Sequence, residues 1–169
     1  MIDLEVSLDI TPAVIRLERI AGRYSNFSPV LGGRVDVLAR GLIRRMFLTQ
    51  GRASGRGQWA RLTERYLARR RFPAQPLLRQ TDALYRTLTE KGAPGQRTVL
   101  TPNQYSLSVD PSADDTDGRP IIARFIGHQR GVPESNLPAR EIIPDPLPQS
   151  FIQQVRNAVK AYVVTGRSR

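Results

Sequence analysis

A single histidine, His128, stands in a chain that has no cysteine. Histidine–cysteine dyads, multi-histidine metal sites and disulfides are therefore excluded. A serine triad built on His128 would need a nucleophile-elbow pattern, and the sequence has none. Asp114, Asp115 and Asp117 cluster like the start of a calcium loop, but the central glycine and the later glutamate are missing. They read as a solvated turn. The glycine-rich run Gly51–Gly57 invites a phosphate-loop reading, yet no Gly-Lys-Ser/Thr follows it and no apolar strand leads into it. It reads as a mobile loop. No enzyme is expected from these residues, and no catalytic, metal-ligating or cofactor-binding position.

Charge offers a different chemistry. The chain has 169 residues and a net charge of +11, and all its basic side chains except Lys91 and Lys160 are arginine. Such an excess attracts polyanions: nucleic acid, acidic lipid or an acidic protein face. Its densest stretch is residues 40–71, with Arg40, Arg44, Arg45, Arg52, Arg56, Arg61, Arg65, Arg69, Arg70 and Arg71 against the single acid Glu64. Trp59, Tyr66 and Phe72 are interleaved. Phosphate neutralisation with base stacking is one reading, with Arg44, Arg45, Arg52, Arg56 and Arg65 as the candidate polyanion contacts. The other is a solvated helix face whose arginines pair with acids of a neighbouring subunit. No helix-turn-helix, zinc-finger or RNA-recognition signature accompanies the block, so sequence-specific reading is not expected.

The elements that must position these residues follow from periodicity. Ile2, Leu4, Val6, Leu8 and Ile10 alternate with Asp3, Glu5, Ser7 and Asp9, the pattern of a half-buried strand. Thr11-Pro12 opens a helix to about Gly22 with Val14, Leu17, Ile20 and Ala21 as its apolar stripe. Leu31, Val35, Leu38, Leu42 and Met46 form one face of a longer helix over 30–49, with Arg34, Arg40, Arg44 and Arg45 in other sectors. After the 51–58 loop come short helices at 62–71, which Thr63 could cap, and at 79–90, where Leu84 and Leu88 face inward. Residues 98–101 and 105–109 read as a hairpin around Pro102-Asn103. Asp110–Arg119 reads as a disorder-prone acidic tip, and Ile121–Ile126 as a third strand. The proline-rich stretch 130–148 reads as an extended arm whose backbone needs water or a neighbour to satisfy it. Phe151, Ile152, Val155, Val159, Tyr162 and Val163 give a closing amphipathic helix over 147–164, a stripe that closes the home core.

The sum is a single α+β domain over 1–169: several helices packed on a small, mostly antiparallel sheet, with the extended arm and the C-terminal amphipathic helix. The first residues, Met1-Ile2-Asp3-Leu4-Glu5, carry acids where a signal peptide needs basic and apolar stretches. No apolar run approaches the ~20 residues of a membrane span. Synthesis in the cytoplasm and no membrane partner are the expectation.

Three blocks resemble the phage virion morphogenesis, or tail-completion, family. The first is Trp59-Ala60-Arg61-Leu62-Thr63 with Tyr66 and Arg69-Arg70-Arg71 after it. It is similar to the family's tryptophan-x-x-leucine-serine/threonine stretch leading to a tyrosine and basic residues. The second is Pro76-Leu77-Leu78-Arg79-Gln80-Thr81-Asp82-Ala83-Leu84, where Asp82 replaces the family's usual glycine; Thr81 and Asp82 are both sound helix caps. The third is His128-Gln129-Arg130-Gly131, then Leu137-Pro138-Ala139-Arg140, then the closing helix, with Glu141 where proline is common. The blocks span about residues 45–164.

The resemblance implies a structural protein of the head–tail junction in a tailed phage or a phage-derived particle such as a gene transfer agent. It implies assembly in the host cytoplasm into a six-fold or twelve-fold homo-oligomeric ring. Head-completion, tail-terminator or tail-tube proteins would be its neighbours, with DNA in the channel as a further contact. Trp59, Arg69, Arg70, Arg71, His128, Pro138 and Arg140 would then be structural or interface residues. On that reading the 51–58 loop and the 130–148 arm order only against a neighbour. The competing reading is a non-specific nucleic-acid-binding protein that uses the 40–71 arginines.

Overall fold

The computed structural model describes residues 11–69, 76–79 and 81–168. The period-two segment 2–10 and the pair Arg70-Arg71 lie outside the described residues. Helix α1 (Thr11–Ser25) leads into a nearly continuous helical rod: α2 (Ser28–Val30), a π-helical turn over Leu31–Val35, and α3 (Asp36–Leu48). Short helices α4 (Glu64–Arg69) and α5 (Ala83–Thr89) follow. Strands β1 (Gln96–Leu100) and β2 (Tyr105–Val109) pair antiparallel, with Gln96 opposite Val109 and Leu100 opposite Tyr105. Helix α6 (Ile121–Arg130) and helix α7 (Gln149–Thr165) complete the chain. The result is α+β, helices packed on a small antiparallel sheet.

Two apolar clusters hold it. The larger joins Ile43, Met46 and Phe47 of α3 to Leu84 and Leu88 of α5, Val109, Ile121, Trp59 and Ile142. The smaller gathers Val30, Val35 and Tyr162, where α7 meets the rod. Leu42 and Met46 are buried and Leu31 and Leu38 half-buried, so the expected α3 stripe faces inward. The π turn contains Gly32 and Gly33, residues that weaken a helix interior. Their reason is close approach: a Cβ on Gly32 would sit 2.7 Å from Leu100 Cδ2, and one on Gly33 2.8 Å from the Ser168 carbonyl oxygen. The missing side chains let the hairpin and the C-terminal tail lie against the rod.

Several expectations are corrected. Ile121–Ile126 is helix, not strand: Ile121 is buried, Ile122 and Phe125 pack on the main core, and Ile126 is exposed. That is a helical face, and Pro120 stands immediately ahead of it. The acidic tip is ordered, because Arg124 of α6 pairs with both Asp115 and Asp117, and Thr81 donates to Asp115. Asp82 does not cap α5 through its side chain. It bonds Arg79 twice instead, and takes a left-handed φ of 57°. Arg40, expected on an outer sector, is buried beside Asp36. The stripe of α1 is largely uncovered by the described residues, with Val14 42% and Leu17 65% exposed and only Ile20 half-buried.

Candidate functional site

The residues that the sequence sets apart fall into a buried lock and a dispersed surface. The lock begins where α3 ends. Gln50 and Gly51 turn the chain at positive φ, and the Gly51 N–H donates to the Met46 carbonyl at 2.8 Å. A 3₁₀ turn over Arg52–Ser54 follows, and the Trp59 N–H returns to the Gln50 carbonyl at 2.7 Å. This is a hydrogen-bonded turn, not the mobile loop expected of its glycines. Gly51 is obligatory here, since a Cβ would lie 2.4 Å from Trp59 Cδ1. Trp59 drops beneath the turn, edge-on to Phe47 with ring centroids 5.7 Å apart.

The indole N–H of Trp59 donates to the Glu141 carbonyl at 3.0 Å, tying the turn to the far end of the sequence. Arg56 reinforces the tie by pairing with the Glu141 carboxylate at 2.8 Å. Arg140, 1% exposed, reaches back in the other direction. Its Nε donates to the Ala60 carbonyl at 3.0 Å and its Nη2 approaches the Arg61 carbonyl at 3.5 Å. The Arg140 N–H donates to the His128 carbonyl at 2.6 Å. Gln129 clamps the next two residues: its Oε1 accepts from the N–H groups of Ile142 and Ile143, and its Nε2 donates to the Ile143 carbonyl.

The 130–148 stretch is therefore not an arm waiting for a neighbour. It is a strap already fastened to its own domain, with Ile142 and Pro144 fully buried. The backbone groups that local sequence leaves unsatisfied find partners on Gln129, His128 and Trp59. Trp59 and Arg140, read as structural or interface residues, are both buried within their own domain. Pro138 is exposed, beside a shallow groove it shares with Arg130, Asn136 and Leu137. The Arg69 side chain, with those of Arg65 and Tyr66, lies outside the described residues.

His128 sits at the rim of the lock, in a cavity of about 350 Å³ that Arg61, Thr63 and Arg140 help line. Its Nδ1 is buried and has no hydrogen-bond partner among the described residues. Burial, then the charges of Arg140 and Arg124, lower its pKa to about 4. The unfolded chain takes up a proton near 6.5, so stability is complete above that value and falls as pH drops toward 4. Between pH 7.5 and 5, His128 should contribute a loss of about 1–2 kcal/mol, allowing for its partly exposed ring. Thermal melts of the native chain and His128→Gln check this. The native chain should lose more melting temperature on acidification than the variant, and equal losses would exclude a role for the imidazole.

The arginine block divides among several surroundings. Arg40 points inward to Asp36, Arg56 is paired with Glu141, and Arg52 donates to Gln58 at 2.8 Å. Arg44 and Arg45 remain exposed on α3. Trp59 is buried, so it offers no stacking platform to a base. The larger exposed feature is one the sequence reading missed, an apolar groove of about 500 Å³ between the end of α1 and α7. Tyr24, Phe27, Val155, Val159 and Val164 line it, with Arg156 and Lys160 among them. The α7 stripe was read as closing the home core, and only Phe151, Tyr162 and Val163 of it are buried. The half-buried Val155 and Val159 were the available signal, since they border the uncovered face of α1.

Among the described residues, no group of three or more potential ligands could hold a metal ion. No helix of the described chain is long and apolar enough to cross a membrane. Comparison with known proteins finds no matching family model, no matching curated protein and no matching solved structure.

Proposed function

We propose that this chain is a non-catalytic assembly subunit, a neck or tail-completion ring protein at the head–tail junction of a tailed phage or phage-derived particle. The observation that carries the reading is the convergence of the blocks behind the family resemblance. Trp59 to Arg61, His128-Gln129 and Arg140 are far apart in sequence and meet in one hydrogen-bonded lock. Residues that jointly close a fold are the ones a shared pattern retains when surfaces diverge. The one departure in the second block fits as well: Asp82 takes the left-handed conformation that glycine occupies without strain.

The nucleic-acid reading asks for a continuous basic stripe with free aromatic faces. The inward Arg40, the paired Arg56 and the buried Trp59 interrupt it. An assembly subunit asks instead for a rigid body with uncovered apolar surface, and the faces of α1 and α7 offer one.

Light scattering and negative-stain imaging of the nuclease-treated protein, at low and high salt, test the proposal. Closed rings of one mass, unchanged by salt, are the expected result. A monomer or dimer that carries nucleic acid until salt strips it would overturn the reading in favour of nucleic-acid binding.

A further inference from the structure

Residues 131–140 fold back on themselves and build a wall. Gly131 turns at positive φ, where a Cβ would sit 2.9 Å from both the Ala139 nitrogen and the Leu137 carbonyl oxygen. Val132 and Leu137 then exchange two backbone hydrogen bonds, at 2.8 and 3.0 Å. Between them Asn136 holds a left-handed φ of 50°, a conformation asparagine tolerates better than most residues. Ser135 and Asn136 are thereby carried to the cavity beside His128. A second wall is the chain entering α4, Arg61 to Thr63. Arg140 fastens the two: its guanidinium bonds the Ala60 and Arg61 carbonyls, and its N–H bonds the His128 carbonyl. The cavity is preformed.

Its chemistry is one-sided. Arg61, Ser135, Asn136 and His128 bring a guanidinium, a hydroxyl, an amide and an imidazole, and no acid lines it among the described residues. None of these four side chains has a hydrogen-bond or ion-pair partner among the described residues. The charges the imidazole feels come from Arg140 of the strap and Arg124 of its own helix, both positive. Only Nδ1 of the ring is covered by protein, so Nε2 is the nitrogen open to the cavity. A covered nitrogen with no acceptor beside it keeps a lone pair more readily than a proton, so the neutral ring carries its N–H at Nε2. Leu62, Leu137 and Pro138 add an apolar side.

Donors beside apolar surface, with no acid among them, select an anion that is partly apolar. A phosphate presents oxygens in every direction and has nothing with which to cover Leu62 and Leu137. A carboxylate on a short aliphatic stem has both halves, and its two oxygens match the planar fork of a guanidinium. We propose that the His128 cavity binds such a carboxylate, held by Arg61, Ser135 and Asn136, with the His128 Nε2–H as a further donor. A free small acid and a glutamate side chain of a partner protein share this chemistry. The site stands whether or not the chain forms rings.

His128 is the only histidine, so its imidazole signals in NMR spectra of the full-length chain are unambiguous. Propionate serves as the free acid and a blocked alanine–glutamate–alanine tripeptide as the side chain on a backbone, with inorganic phosphate at equal ionic strength as the control. Either acid should shift the imidazole signals saturably and raise the His128 pKa, about 4 in the free protein, by about one pH unit. Arg61→Ala should weaken binding about tenfold or more. That side chain is exposed and only its carbonyl serves Arg140, so the variant keeps the fold. Asn136→Gly, which suits the left-handed φ, should also weaken binding, with its melting temperature kept. Saturation by propionate alone marks free acids as the source, and tighter binding of the tripeptide marks a partner's glutamate; both outcomes support the site. Phosphate as effective as the acids would overturn the carboxylate assignment. Signals that respond to neither acid, or respond equally in Arg61→Ala, would overturn the site.

Discussion

Arg140→Ala should be the most damaging single substitution in the strap, destabilising the fold by about 3–5 kcal/mol. Three losses combine. The Ala60 and Arg61 carbonyls lose the guanidinium as their donor, and a hydrogen bond made by a charged group contributes about 1.5–3 kcal/mol. A side chain 1% exposed leaves a cavity. The strap also loses its hold on the turn, which weakens the neighbouring bond from Trp59 to Glu141. For a chain of this size the melting temperature should fall by roughly 10 °C. Arg140→Lys should recover less than half of the loss, because one ammonium cannot reproduce a planar fork. Trp59 is the only tryptophan in the chain, so its fluorescence reports this junction alone. Its emission should shift to the red in Arg140→Ala at temperatures where the helices persist. A variant within 1 kcal/mol of the native chain, with unchanged emission, would show that the lock is not what holds the strap.

The same residues show where sequence is legible and where it is not. Hairpin and C-terminal helix could be read because their signals are local: alternation around Pro102-Asn103, and a long helical stripe ending at Gly166. Leu84 and Leu88 followed from spacing alone, and both are buried. Ile121–Ile126 was misread because a short, mainly apolar segment interrupted only by Arg124 fits either element. Only its continuation to Gln129, which fastens Ile142 and Ile143, gives the helix a reason. The strap was opaque for a physical cause. Its prolines advertise extended backbone, but the partners that satisfy that backbone stand on α6 and beside Trp59, and no local pattern encodes them. The arginine block was overread for the opposite cause. Composition sums charge along the chain, whereas burial and pairing assign each arginine to a different neighbour. Asp36 and Arg40 could have been paired from their four-residue spacing, and the burial of that pair could not.

That buried pair sets the second large effect. Asp36→Ala should cost about 3–5 kcal/mol, whereas the double variant Asp36→Leu with Arg40→Met should cost only about 1–2 kcal/mol. Asp36 Oδ1 accepts from Arg40 Nε at 2.8 Å and from the Tyr105 hydroxyl, and Arg40 Nη2 donates to Gln96 at 3.1 Å. Burial, and then donation to Asp36, raise the Tyr105 pKa well above its ordinary value, so the phenol remains a donor. Removing the carboxylate alone strands a guanidinium that is 7% exposed and whose Nη1 has no partner among the described residues. Replacing both charges by apolar side chains removes the stranded ion and fills its volume. Urea unfolding of the single and double variants reads the difference; a double variant as unstable as Asp36→Ala would show that the loss comes from packing, not from the uncompensated charge. The network does more than stabilise, because it bonds both strands of the hairpin to the rod, Gln96 through Arg40 and Tyr105 through Asp36. The double variant should therefore keep most of its stability while its β1 amides exchange faster, since apolar contacts hold position less strictly than paired charges.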